Sequence, residues 1–120
     1  MNGGIKVLSI APGASVQDLG RPGYQRYGVS ESGVMDRMAV ACGAALLRQS
    51  TEHPVVELCG GAAQFQLVGQ DTQLAVTGAP ARVTVDDNPV QFCSSFSVAD
   101  NQKVTITPLP GSVYTYLHVA

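Results

Sequence analysis

From residue 55 onward the sequence keeps one cadence: short runs of alternating or continuous apolar residues, most of them closed by a cluster of turn formers. Runs at 55–59, 63–68, 72–77, 81–85, 89–92, 95–98, 103–107 and 113–119 carry Val, Ile, Leu, Phe, Tyr and Thr. Between them stand Gly60-Gly61, Gly69-Gln70-Asp71, Gly78-Ala79-Pro80, Asp86-Asp87-Asn88, Ala99 to Gln102 and Pro108 to Gly111. Strands spaced by about ten residues with turn signals between them predict an antiparallel sandwich or barrel. Residues 5–10 alternate weakly and predict a first strand, and 15–16 a short extended piece. No βαβ alternation, internal repeat or low-complexity tract competes with a mainly β domain.

One helix interrupts the pattern. Residues 37–48 place Met38, Val40, Ala41, Ala44, Ala45 and Leu47 on a wide apolar face, and Asp36 is placed to cap the first turn. Gly43 lies inside this helix and costs about 1 kcal/mol relative to Ala unless a close neighbour needs the space.

At 120 residues the chain is sized for one domain, and 45% hydrophobic with 13% charged residues describes a folded chain. A formal charge of −2, seven scattered basic residues, no Trp and few aromatics argue against a nucleic acid partner. No apolar run reaches the roughly 18 residues of a membrane helix, and residues 1–4 lack the regions of a signal peptide. The expectation is a cytoplasmic protein with neither nucleic acid nor membrane as partner. Cys42, Cys59 and Cys93 are expected to be reduced, mostly buried thiols, since their odd number and wide spacing suit neither disulfides nor zinc. His53 and His118 have no second ligand at metal spacing, so no metal site is expected. The last run, 113–119, has no closing turn and reads as an interrupted sequence.

Between residues 17 and 36 lies a connection longer than compact domains usually carry, and long ordered loops tend to be functional. Gly20-Arg21-Pro22-Gly23 has two readings: tight turns needing positive φ, or backbone amides brought near a carboxylate or phosphoryl oxygen with Arg21 as a forked cationic donor. Asp18 either pairs with Arg21 to shape the loop, or orients it and accepts a proton in a cleft. Asp36 reads first as a helix cap. Glu57, set in an apolar strand, must be paired or edge-exposed; it reads first as partnered, by a residue such as Arg21 or Arg82, and second as a site residue. Tyr24 and Tyr27 either pack the loop or turn a hydroxyl to a ligand, and no G-x-S-x-G elbow surrounds Ser15, Ser30 or Ser32.

As an ordered string these residues are more specific. Val16-Gln17-Asp18-Leu19-Gly20-Arg21-Pro22-Gly23-Tyr24-Gln25, then Gly28-Val29, then Ser32-Gly33-Val34-Met35-Asp36, resembles the opening of the biotin-dependent carboxyltransferase-like family. That family includes allophanate hydrolase subunit 2, urea amidolyase-related proteins and the C subunit of 5-oxoprolinase. Thr77-Gly78-Ala79 followed by residues 83–89 is similar to its "TGA…DG.P" hairpin, with Asp87-Asn88 where the second residue is usually Gly. Tyr116-Leu117-His118-Val119-Ala120 is similar to its "YLAVAGG" strand. The helix departs from the family's "AN.LVGN" ending, with Ala44 and Arg48-Gln49 in that region.

The resemblance implies a cyclophilin-like antiparallel β-barrel with one helix at about 37–48, forming the N-terminal domain, residues 1–120, of a longer subunit truncated here. It implies a partner homologous to allophanate hydrolase subunit 1 and a small amide or urea-like substrate. The reaction would be ATP-dependent 5-oxoproline hydrolysis or biotin-dependent carboxyl transfer to urea. ATP or carboxybiotin belongs to the complete complex, with no cofactor bound by this domain alone, which is expected to be inactive by itself. Asp18 and Arg21 take the catalytic roles, and Gln17, Gly20, Gly23, Tyr24, Gln25, Gly28 and Ser32 line the substrate site. The alternative function is a non-catalytic regulatory or assembly module that binds the partner, as in the kinase-inhibitor antagonists of the family. Exposed strand edges would favour self-association of a fragment.

Overall fold

A computed structural model describes residues 4–17 and 36–120 of the protein. Its elements are β1 (Gly4–Ile10), β2 (Ser15–Gln17), α1 (Arg37–Leu47), β3 (Val55–Cys59), β4 (Ala63–Val68) and β5 (Thr72–Gly78). They continue with β6 (Ala81–Val85), β7 (Asn88–Val90), β8 (Ser95–Val98), β9 (Lys103–Pro108) and β10 (Tyr114–Val119). Two five-stranded sheets form, in the orders β1-β4-β9-β6-β7 and β2-β3-β10-β5-β8, with antiparallel pairing throughout.

The mainly β fold with one helix is as the sequence predicts, but the strand ladders of the described residues do not close into a barrel. The reason lies in the turns. Gly60-Gly61, Gly69-Gln70-Asp71 and Gly78-Ala79-Pro80 carry the chain from one sheet to the other rather than between neighbours in one ladder. Among consecutive strands of the described residues, only β2–β3 and β6–β7 pair with each other. The result is a sandwich.

Strand alternation fills the space between the sheets. Phe65, Leu67, Val83, Val85, Val104 and Ile106 of the first sheet meet Leu58, Leu74, Val76, Val98 and Leu117 of the second in one core. Fully burying side chains of this size contributes about 1.5–3 kcal/mol each. The weak alternation of β1 has a local cause: its register against β4 shifts between Val7 and Ser9, which reverses the side on which later residues fall. The β6–β7 turn is the left-handed pair Asp86–Asp87, with φ of 47° and 68°, so the turn sits one residue earlier than the Asp87-Asn88 pair compared with the family hairpin.

α1 covers the outer face of the second sheet, burying Ala39, Val40, Gly43 and Ala44. Asp36 caps it as predicted, its Oδ1 accepting from the Ala39 amide at 3.0 Å. The helix ends at Arg48, whose left-handed conformation (φ 55°, ψ 44°) turns its N–H back to the Ala44 and Ala45 carbonyls. The cysteines are exposed, contrary to expectation. Cys42 lies off the buried stripe of α1, Cys59 falls at the exposed end of β3, and Cys93 occupies a turn with φ 60°.

Candidate functional site

Buried polar and charged side chains concentrate under α1. Glu57, Thr77, Thr115 and His118 are the buried polar residues among those described, and three of them join Tyr116 on the helix-covered face. Two-residue alternation puts them there: Val56, Leu58, Leu74, Val76 and Leu117 point into the main core, so Val55, Glu57, Thr77, Tyr116 and His118 point out toward the helix. On that face Tyr116 packs with Ala39, Val40 and Val55 in a second apolar cluster.

Glu57 and Tyr116 are cross-strand partners, and the Tyr116 hydroxyl donates to Glu57 Oε2 at 2.7 Å. The phenol oxygen also accepts the Asp36 amide N–H at 2.9 Å. Burial first, then the hydrogen bond to Glu57, pushes the Tyr116 hydroxyl well above the ordinary phenol range. A phenol is thus one partner of Glu57. Arg82, one of its two expected partners, stands on β6 of the other sheet, and Arg21, the other, lies outside the described residues.

Two residues further along β10, His118 is tied to Thr77. Their Oγ1 and Nε2 atoms are 2.7 Å apart, and Thr77 Oγ1 donates its only proton to the Ala39 carbonyl at 2.8 Å. The hydroxyl must then accept from His118, which fixes the ring proton on Nε2 and the lone pair on Nδ1. Nδ1 is buried with no hydrogen-bond partner among the described residues. Burial pushes the His118 pKa down to about 4, so the ring is neutral near pH 7. The helix can lie this close only because residue 43 is Gly: a Cβ there would come within 2.0 Å of Nε2. Gly43 has the close neighbour that its position in the sequence required.

The first turn of α1 is thus bonded to the sheet at Asp36 N–H through Tyr116 and at the Ala39 carbonyl through Thr77. Of the predicted site residues, Gln17 closes β2, its backbone paired with Val55. Asp18, Gly20, Arg21, Gly23, Tyr24, Gln25, Gly28 and Ser32 lie outside the described residues. What the described structure adds is the setting of that segment's two ends: Gln17 on β2 beside β3, and Asp36 on Tyr116 beside Glu57. Sequence reading missed Tyr116, Thr77 and His118. The available signal was polar groups at alternate positions of β5 and β10, together with a glycine in the helix that crosses them.

Surface grooves lie elsewhere. One of about 400 Å³ runs past Asp71, Gln73, Ser97 and Gln102, and one of about 320 Å³ past Gln64, Asp86, Asp87, Lys103 and Thr105. Neither groove pairs a glycine-rich turn with several cations. No His, Cys, Asp and Glu cluster suited to a metal occurs among the described residues, and no helix among them is long and apolar enough to cross a membrane.

Similarity to characterised proteins agrees with the motif string. The chain is 36% identical over 117 residues to the C subunit of 5-oxoprolinase from Haemophilus influenzae, covering 96% of this chain and 37% of that protein. It is 27% identical over 116 residues to the corresponding 5-oxoprolinase protein of Escherichia coli K12, covering 97% of this chain and 37% of that protein. The chain therefore spans 37% of the length of these relatives. Its fold superposes on part of the K. lactis urea amidolyase with a TM-score of 0.87 at 24% identity, covering 96% of this chain and 7% of that one. Residues 27–120 match the family described as carboxyltransferase domain, subdomain A and B, and the chain belongs to that family.

Proposed function

We propose that the chain is the N-terminal β domain of an enzyme subunit of the kind found as the C subunit of 5-oxoprolinase. It would work with a partner homologous to allophanate hydrolase subunit 1 in ATP-dependent hydrolysis of 5-oxoproline. The observation that carries this reading is the 36% identity to the Haemophilus influenzae protein along 96% of the chain. In the proposed site Arg21 holds a carboxylate or phosphoryl group of the substrate, and Asp18 orients Arg21. Gln17, Tyr24, Gln25 and Ser32 line the cleft, while Gly20, Gly23 and Gly28 shape it. The nucleotide is assigned to the other subunits. The site is read as one wall, completed by the partner.

A second reading is carboxyl transfer to a urea-like substrate, favoured by the family's carboxyltransferase description; there carboxybiotin would come from another component. The test is Arg21→Ala in the complete assembly. The proposal expects turnover to fall at least tenfold, on the order of the loss of one charged contact to substrate. Unchanged turnover and substrate affinity would remove Arg21 from the site.

A further inference from the structure

We propose that the charge-free loop end of the sandwich is a self-association surface, through which two copies of the chain pair about a two-fold axis. Residues 10–14, 60–62, 78–80 and 108–113 form this end. None of these stretches contains Asp, Glu, Lys, Arg or His. Ile10, Leu109 and Val113 stand on it 42%, 41% and 48% exposed, beside the exposed Pro12, Pro80 and Pro110.

Hydrogen bonds knit the four stretches into one surface. The Ala11 N–H donates to the Ala62 carbonyl at 3.1 Å, that of Gly60 to Val113 at 2.7 Å, and that of Leu109 to Pro80 at 3.0 Å. The Ser112 hydroxyl also donates to the Pro80 carbonyl, at 2.7 Å. With these polar groups bonded inside the end, what it presents outward is mainly apolar. A charged group buried against it would meet no counter-charge, which is costly. Depletion of charge around apolar side chains is the composition of the core of a protein interface.

The occupant must itself be uncharged and apolar, and the chain supplies such a surface in the same end of a second copy. Other surfaces of the described residues do not match it. The opposite end holds Asp71, Asp86, Asp87 and Asp100. The outer face of the first sheet holds Lys6, Arg82 and Lys103, and the β7–β8 side is polar, with Gln91, Ser94 and Ser95. Head-to-tail stacking would bury carboxylates without partners, so the pairing closes as a dimer with the acidic ends directed apart. Strand edges, the other route to self-association, are blunted. β2 and β7 have three residues each, β7 contains Pro89, β8 has four residues, and β1 is irregular between Val7 and Ser9.

The test is sedimentation equilibrium of the protein at concentrations from about 1 μM to about 1 mM, which span weak to moderate interfaces. A monomer–dimer equilibrium with no larger species is expected. Leu109→Glu and Val113→Glu each set one unpaired carboxylate per copy on the face and are expected to raise the dissociation constant at least about 30-fold. Lys6→Glu on the β1 edge and Ser95→Glu on the β8 edge change charge elsewhere and should leave it unchanged. Leu109→Ser and Val113→Ser remove the apolar contact without adding charge; they are expected to weaken the dimer about tenfold and replace either Glu variant whose thermal melt departs from wild type. No charge is buried in the interface, so added salt should not weaken it. A monomer at every concentration, open-ended oligomers, or a dimer indifferent to Leu109 and Val113 overturns the proposal. Dissociation by salt, by Lys6→Glu or by Ser95→Glu overturns it equally. A monomer whose binding to the proposed partner subunit is lost in Leu109→Glu would give this end to that subunit instead.

Discussion

Gly43→Ala should invert its effect according to what stands at position 118. In an unencumbered helix interior this substitution stabilises by about 1 kcal/mol. Here the new Cβ would lie 2.0, 2.1 and 2.3 Å from Nε2, Cε1 and Cδ2 of His118, against the roughly 3.5–4 Å of a relaxed contact. The ring has little freedom to withdraw, since Nε2 is held at 2.7 Å by Thr77, whose own hydroxyl is committed to the Ala39 carbonyl. Either the helix lifts by more than an ångström or the Thr77–His118 bond breaks. Overpacking typically costs 1–3 kcal/mol, and a lost buried hydrogen bond about 1 kcal/mol more. After the gain in helix propensity, Gly43→Ala is expected to destabilise by about 1–3 kcal/mol. In a His118→Ala background the obstacle is gone, and the same substitution should stabilise by about 1 kcal/mol, giving a coupling of about 2–4 kcal/mol. Urea denaturation of the four variants, with unchanged m-values, reads this directly. A neutral or stabilising Gly43→Ala with His118 intact would refute the packing described here.

Other consequences can be checked separately. The His118 pKa is lowered in the fold from 6.5 to about 4, so the unfolded chain takes up this proton first on acidification. Its contribution is complete above pH 6.5 and is lost as pH falls to about 4, at up to about 1.4 kcal/mol per pH unit; His118→Gln, which keeps a donor for Thr77 and does not titrate, should lack that part of the slope. A nuclear magnetic resonance titration placing the His118 midpoint near 6.5 would contradict it. Arg48→Gly should stabilise by about 0.5 kcal/mol, because relief of the left-handed conformation (φ 55°) exceeds the entropy that glycine adds to the unfolded chain; a loss of stability in thermal melts would count against the cap geometry. Cys42, Cys59 and Cys93 should all react with a thiol reagent under native conditions, whereas buried thiols would wait for unfolding.

The fold was legible where local chemistry decides it. Alternation along 63–68 and 81–85 and the capping position of Asp36 can be read directly, because each depends on neighbours in sequence. Sheet partners could not be read so, since Gly69-Gln70-Asp71 looks the same whether it closes a hairpin or passes the chain between sheets. The same limit hid the buried polar face. Glu57 was conspicuous as a charge in an apolar strand, but one partner that the structure gives it sits 59 residues away and is a tyrosine, a residue that fits any strand for its ring alone. Gly43 marked a close approach without saying what approached. The segment 18–35 was the reverse case. Residue by residue its glycines, Asp18 and Arg21 admit plain explanations of turn geometry and pairing, and only their order carried the family.

The most direct test of the account is an omission experiment on the complete assembly. With the protein, the partner subunits of the proposal and ATP present, stoichiometric conversion of 5-oxoproline to glutamate is expected, abolished when this protein is left out. Undiminished glutamate formation without it, or carboxylation of urea in place of 5-oxoproline hydrolysis, would contradict the account.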